Sequence, residues 1–151
     1  MRVIFVRHGE KRKGEADPEL TSAGRRMAAE TGAWLLAQGL RPDLAICTPT
    51  QRTRQTAEEL LGVLGPIPCE ERLDLPEHRA DWEALTDPLR RRVPTDGQVL
   101  MVGHHPTLHF LADTYGPLPA PLARDAYAAA LVLHGARGVW RVEAVWPGRT
   151  G

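Results

Sequence analysis

Arg7-His8-Gly9 sets a guanidinium beside an imidazole at the end of the apolar run Val3-Ile4-Phe5-Val6. That pairing suits an anion pocket with a nucleophile in it, because a fixed positive charge holds the anion while the neighbouring ring nitrogen attacks. Gly9 adds freedom for a sharp turn or a close backbone approach. Two more polar stretches follow apolar runs: Thr48-Pro49-Thr50-Gln51-Arg52-Thr53-Arg54-Gln55-Thr56-Ala57 after Leu44-Ala45-Ile46-Cys47, and Gly103-His104-His105-Pro106 after Gln98-Val99-Leu100-Met101-Val102. Singly each is a weak signal, since polar residues at strand ends and on amphipathic helices are ordinarily solvated.

The elements that must hold these residues read as alternating strands and helices. The short run at 3–6, with two β-branched residues, predicts a buried central strand. Thr21 or Ser22 caps a predicted helix reaching about Gln38, with Met27, Thr31, Trp34 and Leu35 on one face and Gly39 and Pro42 as its stop. A second strand at 44–47 leads into a helix for which Thr48-Pro49 supplies cap and first turn, with Ala57, Leu60, Leu61 and Leu64 facing inward. A short strand is expected at 67–69 and a helix at about 82–92, limited by Pro88. The run 98–102 is another buried strand, and Pro106 fits the first position of the helix after it. Extended runs at about 127–134 and 139–146 flank Gly135-Ala136-Arg137-Gly138, a hairpin signal.

This order implies an α/β fold: a three-layer α/β/α sandwich with a mainly parallel sheet and an antiparallel edge. The strands preceding His8, Thr48 and His104 then end on one edge of the sheet, where open α/β sheets place ligands. Residues 1–151 suit a single domain.

Lysine plus arginine (19) balance aspartate plus glutamate (19), which argues against overall charge steering the chain to nucleic acid or an anionic membrane. Affinity for phosphate must therefore be local. No apolar stretch approaches the ~20 residues of a membrane span, and an N-terminus that enters a strand directly is expected of a cytoplasmic protein. In that compartment Cys47 and Cys69 are expected to be reduced.

The three stretches, in this order and with Leu20-Thr21-Ser22-Ala23-Gly24 between the first two, resemble the histidine phosphatase superfamily, also called phosphoglycerate-mutase-like. The resemblance implies that His8 attacks phosphorus and is transiently phosphorylated before water hydrolyses the intermediate. It makes Arg7 and Arg52 the phosphate-binding arginines and His104 a donor to a phosphoryl oxygen in the transition state. The nearby guanidiniums should also lower the pKa of His8. Gly9, Thr21 and His105 are further positions expected against phosphate or substrate. No cofactor is implied. His105, His109 and Asp113 fall four apart, but His105 abuts Pro106 at a helix cap and no metal site is expected.

Glu10-Lys11-Arg12-Lys13 stands where the mutase branch carries hydroxyl and amide residues, which disfavours mutase activity. The short chain resembles the SixA-like branch, which removes phosphate from histidine on proteins. An alkoxide leaving group must be protonated as it departs, whereas imidazole hardly needs this, so a general acid separates the two substrate classes. The segment Glu70-Glu71-Arg72-Leu73-Asp74-Leu75-Pro76-Glu77 offers Asp74 or Glu77 as that acid. The favoured reading is thus a phosphohistidine phosphatase with a phosphohistidine-bearing protein as partner. A small-molecule phosphomonoesterase is the first alternative and a non-catalytic phosphate-binding module the second. Nothing in the sequence specifies assembly state, and a monomer is compatible with it.

Overall fold

The computed structural model describes residues 1–136 and 138–150. Six strands, β1 (Arg2–Arg7), β2 (Leu44–Cys47), β3 (Cys69–Glu71), β4 (Gln98–Gly103), β5 (Ala130–Ala136) and β6 (Val139–Trp146), form one sheet in the order β3-β2-β4-β1-β5-β6. The first four run parallel, and β5 is antiparallel to both β1 and β6. Helices α1 (Ser22–Ala37) and α2 (Gln51–Leu64) cover one face, while α3 (Arg79–Arg90) and α4 (His105–Tyr115) cover the other. The expected three-layer sandwich with an antiparallel edge is the fold observed.

Continuous hydrophobicity in β1 follows from burial on both faces. Val3 and Phe5 join Trp82, Leu89, Leu108 and Leu111 under α3 and α4. Ile4 and Val6 join Leu35, Leu60 and Leu64 under α1 and α2. All four β1 side chains are fully buried, each contributing about 1.5–3 kcal/mol relative to exposure.

Several predicted boundaries shift, each for a local reason. The α2 cap is Thr50, not Thr48, because the Thr48 hydroxyl is held within the site described below while the Thr50 side chain accepts from the Thr53 amide. The third strand starts at Cys69 rather than two residues earlier, set by pairing of Cys69 with Ala45. Helix α3 begins at Arg79, since its first turn is polar and exposed and shows no apolar periodicity, and it carries Pro88 in its last turns. The fifth strand begins at Ala130, not Tyr127: Ala128 has φ +53, which breaks the extended run, and Tyr127 instead pairs with Arg149. His105 opens α4, with His104 as its cap, so Pro106 takes the second rather than the first helical position. The predicted hairpin turn contains Arg137, which lies outside the described residues, and Ala136 pairs with Val139 across it. No described helix is long and apolar enough to cross a membrane.

Candidate active site

Strand register brings two histidines distant in sequence together. Arg7 of β1 pairs with Gly103 of β4, so the next residue on each strand, His8 and His104, leaves the sheet beside the other. Their ring centroids lie 5.5 Å apart at 64°. Cys47 of β2 pairs with Val102, which puts Thr48 at the same edge, its amide donating to the Val102 carbonyl at 3.3 Å. Arg52 follows in the first turn of α2.

His8 is only 3% exposed, and its Nδ1 lies 2.8 Å from the Gly9 carbonyl oxygen. A carbonyl can only accept, so Nδ1 carries the proton and Nε2 keeps a free lone pair. Nε2 is the atom a nucleophilic imidazole must offer. Burial is the largest cause that holds the His8 pKa down to about 3; Arg7, His104 and Arg52 push the same way, against the hydrogen bond to Gly9. The expected effect of the guanidiniums is present, but desolvation exceeds it. His8 is therefore neutral at physiological pH.

His104 is held through its other ring nitrogen. Its Nε2 lies 2.9 Å from the Thr48 hydroxyl, which donates to Thr53 Oγ1 at 3.0 Å, and Thr53 Oγ1 donates to the Thr48 carbonyl at 2.7 Å. With the Thr48 proton given to Thr53, Nε2 of the neutral His104 ring donates to Thr48 Oγ1 and Nδ1 keeps its lone pair. Burial first and Arg52 second lower the His104 pKa to about 4, while the Asp74 carboxylate pulls it up. A second hydroxyl bridges strand and helix: Thr56 Oγ1 accepts from the Gly9 amide at 3.0 Å and donates to the Arg52 carbonyl at 2.7 Å.

The two arginines differ from those engaged in ion pairs. Arg2, Arg25, Arg54, Arg92, Arg124 and Arg149 each hold a carboxylate. Arg7 instead donates to the Ala126 carbonyl at 3.1 Å and lies 4.6 Å over the Tyr127 ring. Among the described residues, Nε of Arg7 and Nε of Arg52 are buried without a hydrogen-bond partner. A buried donor left unpaired costs about 1–3 kcal/mol, and more when charged, so these nitrogens suit an oxyanion between them. The N-terminus of α4, beginning right after His104, adds a favourable dipole for negative charge.

The remaining predicted positions surround this centre with distinct duties. Gly9 packs against α1: a Cβ there would lie 2.4 Å from the Gly24 carbonyl oxygen, and its amide is already committed to Thr56. Gly9 thus sets the approach of backbone to backbone. Thr21 caps α1 by accepting from the Gly24 amide at 2.9 Å and donates to Glu10 Oε1 at 2.9 Å, so its hydroxyl is occupied although it lines a cleft beside Arg7. His105 is exposed at the rim, with Arg7 and Glu77 both acting on its charge. Asp74 and Glu77 are exposed on the wall of a second cleft of about 500 Å³, with Asp74 Oδ1 accepting from the Leu75 amide at 2.8 Å. His109 donates to the Arg124 carbonyl and Asp113 pairs with Arg124, so the spacing of His105, His109 and Asp113 serves packing. Among the described residues no group of three His, Cys, Asp or Glu side chains is placed to hold a metal ion.

Thr48, Thr53, Thr56 and Tyr127 were not legible as site residues. Thr48 carried only a capping signal, and Tyr127 reaches Arg7 because the left-handed Ala128 behind it turns the chain while donating its amide to the His8 carbonyl at 3.1 Å. Such a backbone is uncommon for a residue with a Cβ.

A family model described as histidine phosphatase superfamily (branch 1) matches residues 3–105. The fold is similar to that of the protein histidine phosphatase SixA complexed with tungstate, at a TM-score of 0.79 and 22% identity over 97% of both chains. It is also similar to a mycobacterial glucosyl-3-phosphoglycerate phosphatase complexed with VO3, at a TM-score of 0.72 and 18% identity over 98% of this chain and 99% of the other. In sequence the chain is 34% identical over 109 residues to the 2,3-bisphosphoglycerate-dependent phosphoglycerate mutase of Bradyrhizobium diazoefficiens, covering 66% of this chain and 53% of the mutase. The chain spans about half the length, or less, of the curated relatives it matches.

Proposed function

The chain belongs to the histidine phosphatase superfamily, and on that premise we propose that it hydrolyses phosphohistidine on a partner protein through a phosphoryl intermediate on His8. One observation carries the reading: an imidazole with its Nε2 lone pair free stands beside two guanidiniums whose buried Nε atoms have no hydrogen-bond partner among the described residues. In the first step His8 Nε2 bonds to phosphorus as the bond from phosphorus to the substrate imidazole breaks, and the departing ring nitrogen takes a proton. In the second, water attacks phosphorus, the bond to Nε2 breaks, and inorganic phosphate leaves with His8 restored. Arg7 and Arg52 neutralise the equatorial oxygens in both steps.

Two considerations support protein phosphohistidine over a phosphate ester. The fold matches SixA at a TM-score of 0.79, against 0.72 for the glucosyl-3-phosphoglycerate phosphatase, and the matches to the mutases cover only 34–53% of those proteins. An imidazole leaving group also makes little demand on a general acid. Asp74 favours a second reading, a small-molecule phosphomonoesterase, because its charge is felt at His104 and it could protonate an alkoxide. The test compares phosphate release from a phosphohistidine protein and from sugar phosphates by wild type, Asp74→Ala and Glu77→Ala, with His8→Ala as control for the trapped phosphoenzyme. Turnover of the phosphohistidine protein within about twofold of wild type in both carboxylate variants is expected. Efficient ester hydrolysis that collapses in either variant would establish the second reading instead.

A further inference from the structure

The loop between β1 and α1 is a pinned platform whose outer face carries cations that no described residue pairs. Its base is pinned: Lys11 bridges to Leu20, the Arg12 amide donates to Glu19 at 2.8 Å, and the Thr21 amide donates to Glu10 at 2.9 Å. Its far side is tied to α2, where Gln55 Oε1 accepts from the Leu20 amide at 2.7 Å and Asp17 accepts from the Gln51 amide at 3.0 Å. Gly24 seals the contact, since a Cβ there would lie 2.0 Å from the Glu10 carbonyl oxygen. Among the described residues none of Lys11, Arg12 and Lys13 forms an ion pair, whereas eight arginines elsewhere do.

These three side chains line a cleft of about 620 Å³ together with Arg7, so the positive charge of the loop shares one cleft with an arginine of the phosphoryl site. The carboxylates in that lining are Glu10, already accepting from Thr21, and Asp125 on the opposite wall. Resting on the reading that the substrate is a phosphohistidine protein, we infer that this cleft recognises an acidic segment flanking the phosphohistidine, with Lys11, Arg12 and Lys13 as specificity-determining residues. Three consecutive cations on an extended loop spread their charge along the cleft instead of converging on a point, which matches several carboxylates along a chain better than one further phosphate. The platform is built before binding, so little ordering cost opposes the contact. Rim charges of this kind act through encounter rate and KM and are screened by salt.

The experiment measures phosphate release by wild type and the triple variant K11A/R12A/K13A from three donors: phosphoimidazole, a phosphohistidine domain with acidic residues flanking the modified histidine, and the same domain with those residues changed to amides. The triple variant should raise KM for the acidic domain roughly tenfold, with kcat within about twofold. It should leave phosphoimidazole and the amide domain within about twofold of wild type. Raising ionic strength should erase most of the wild-type preference for the acidic domain. An equal loss on phosphoimidazole would mean that the loop merely props the pocket, and unchanged KM on the acidic domain would overturn the inference outright. A loss confined to 2,3-bisphosphoglycerate, run in parallel, would assign the cleft to a second phosphate. Should wild type hydrolyse esters yet release nothing from either domain, the proposed function itself fails and the inference falls with it, a pattern separable from the others.

Discussion

The two clefts beside the phosphoryl site are opposite in charge and in construction. One is walled by Arg7 and by a loop pinned to the start of α1 by a backbone hydrogen bond and a close glycine contact, and to α2 through the side chains of Gln55 and Asp17. The other is walled by Asp81 of α3 and by Asp74 and Glu77 on the preceding segment, which is anchored by Leu75, 3% exposed and packed at the end of β4 near Gly103. The contrast teaches that the arginine side is held in place by hydrogen bonds through the loop, while the carboxylate side presents exposed side chains that nothing in that cleft fixes beyond the Asp74 bond to Leu75. Preorganised donors act fully in the transition state because they need not reorient as charge develops. The carboxylate side should accordingly be tolerant of change where the arginine side is not.

The sharpest way to break that contrast is Arg52→Ala, which removes half of the guanidinium pair. Its kcat/KM should fall on the order of a hundredfold or more, set against an effect within about twofold for Asp74→Ala on the phosphohistidine protein. Comparable losses in the two variants would mean that both sides serve the chemistry equally. A smaller effect is expected of Thr48→Val, which strips the hydroxyl holding Nε2 of His104. A loss of roughly tenfold in kcat is expected, with Thr48→Ser restoring most of it, because one hydrogen bond to a positioned ring is at stake. A loss that Ser failed to rescue would point to packing at the strand end.

Between pH 7 and 5 the change should be the smallest of all. With pKa values near 3 for His8 and near 4 for His104, both rings are neutral across that span, so kcat/KM should stay within about twofold and decline only below it. An imidazole with the ordinary value of about 6.5 would lose roughly thirtyfold by pH 5, and an acid limb there would show that burial does not set the charge on His8. Stability follows the same shifts with a definite sign. Below about pH 6.5 the unfolded chain takes up protons at these two histidines that the folded chain refuses, so thermal melts should drop progressively toward pH 4, and less steeply in His8→Asn.

Much of this site could be read from the chain because it consists of residues placed one step beyond strands. Val3 to Val6, Leu44 to Cys47 and Val99 to Val102 are apolar without interruption, a pattern that a strand buried on both faces requires, and the polar residue after each had to emerge at an edge. What stayed hidden was held by contacts between segments. Thr48 shows a capping signal locally and becomes the support of His104 only because β2 lies next to β4. Tyr127 sits on no periodic face, and the turn at Ala128 that brings it to Arg7 involves a residue type with no preference for that backbone.

Residue types and their order therefore determined the candidate nucleophile, the pair of arginines proposed beside it, the parallel layers and the edge on which they meet, since hydrophobic patterning and side-chain chemistry are local properties. Only the folded molecule decided which nitrogen of each histidine is free, which glycine and threonine groups are already spent on holding the frame, and which surface cations are left for a partner. Those depend on hydrogen bonds and burial between segments tens of residues apart, and such pairings exist only once the sheet has set its register.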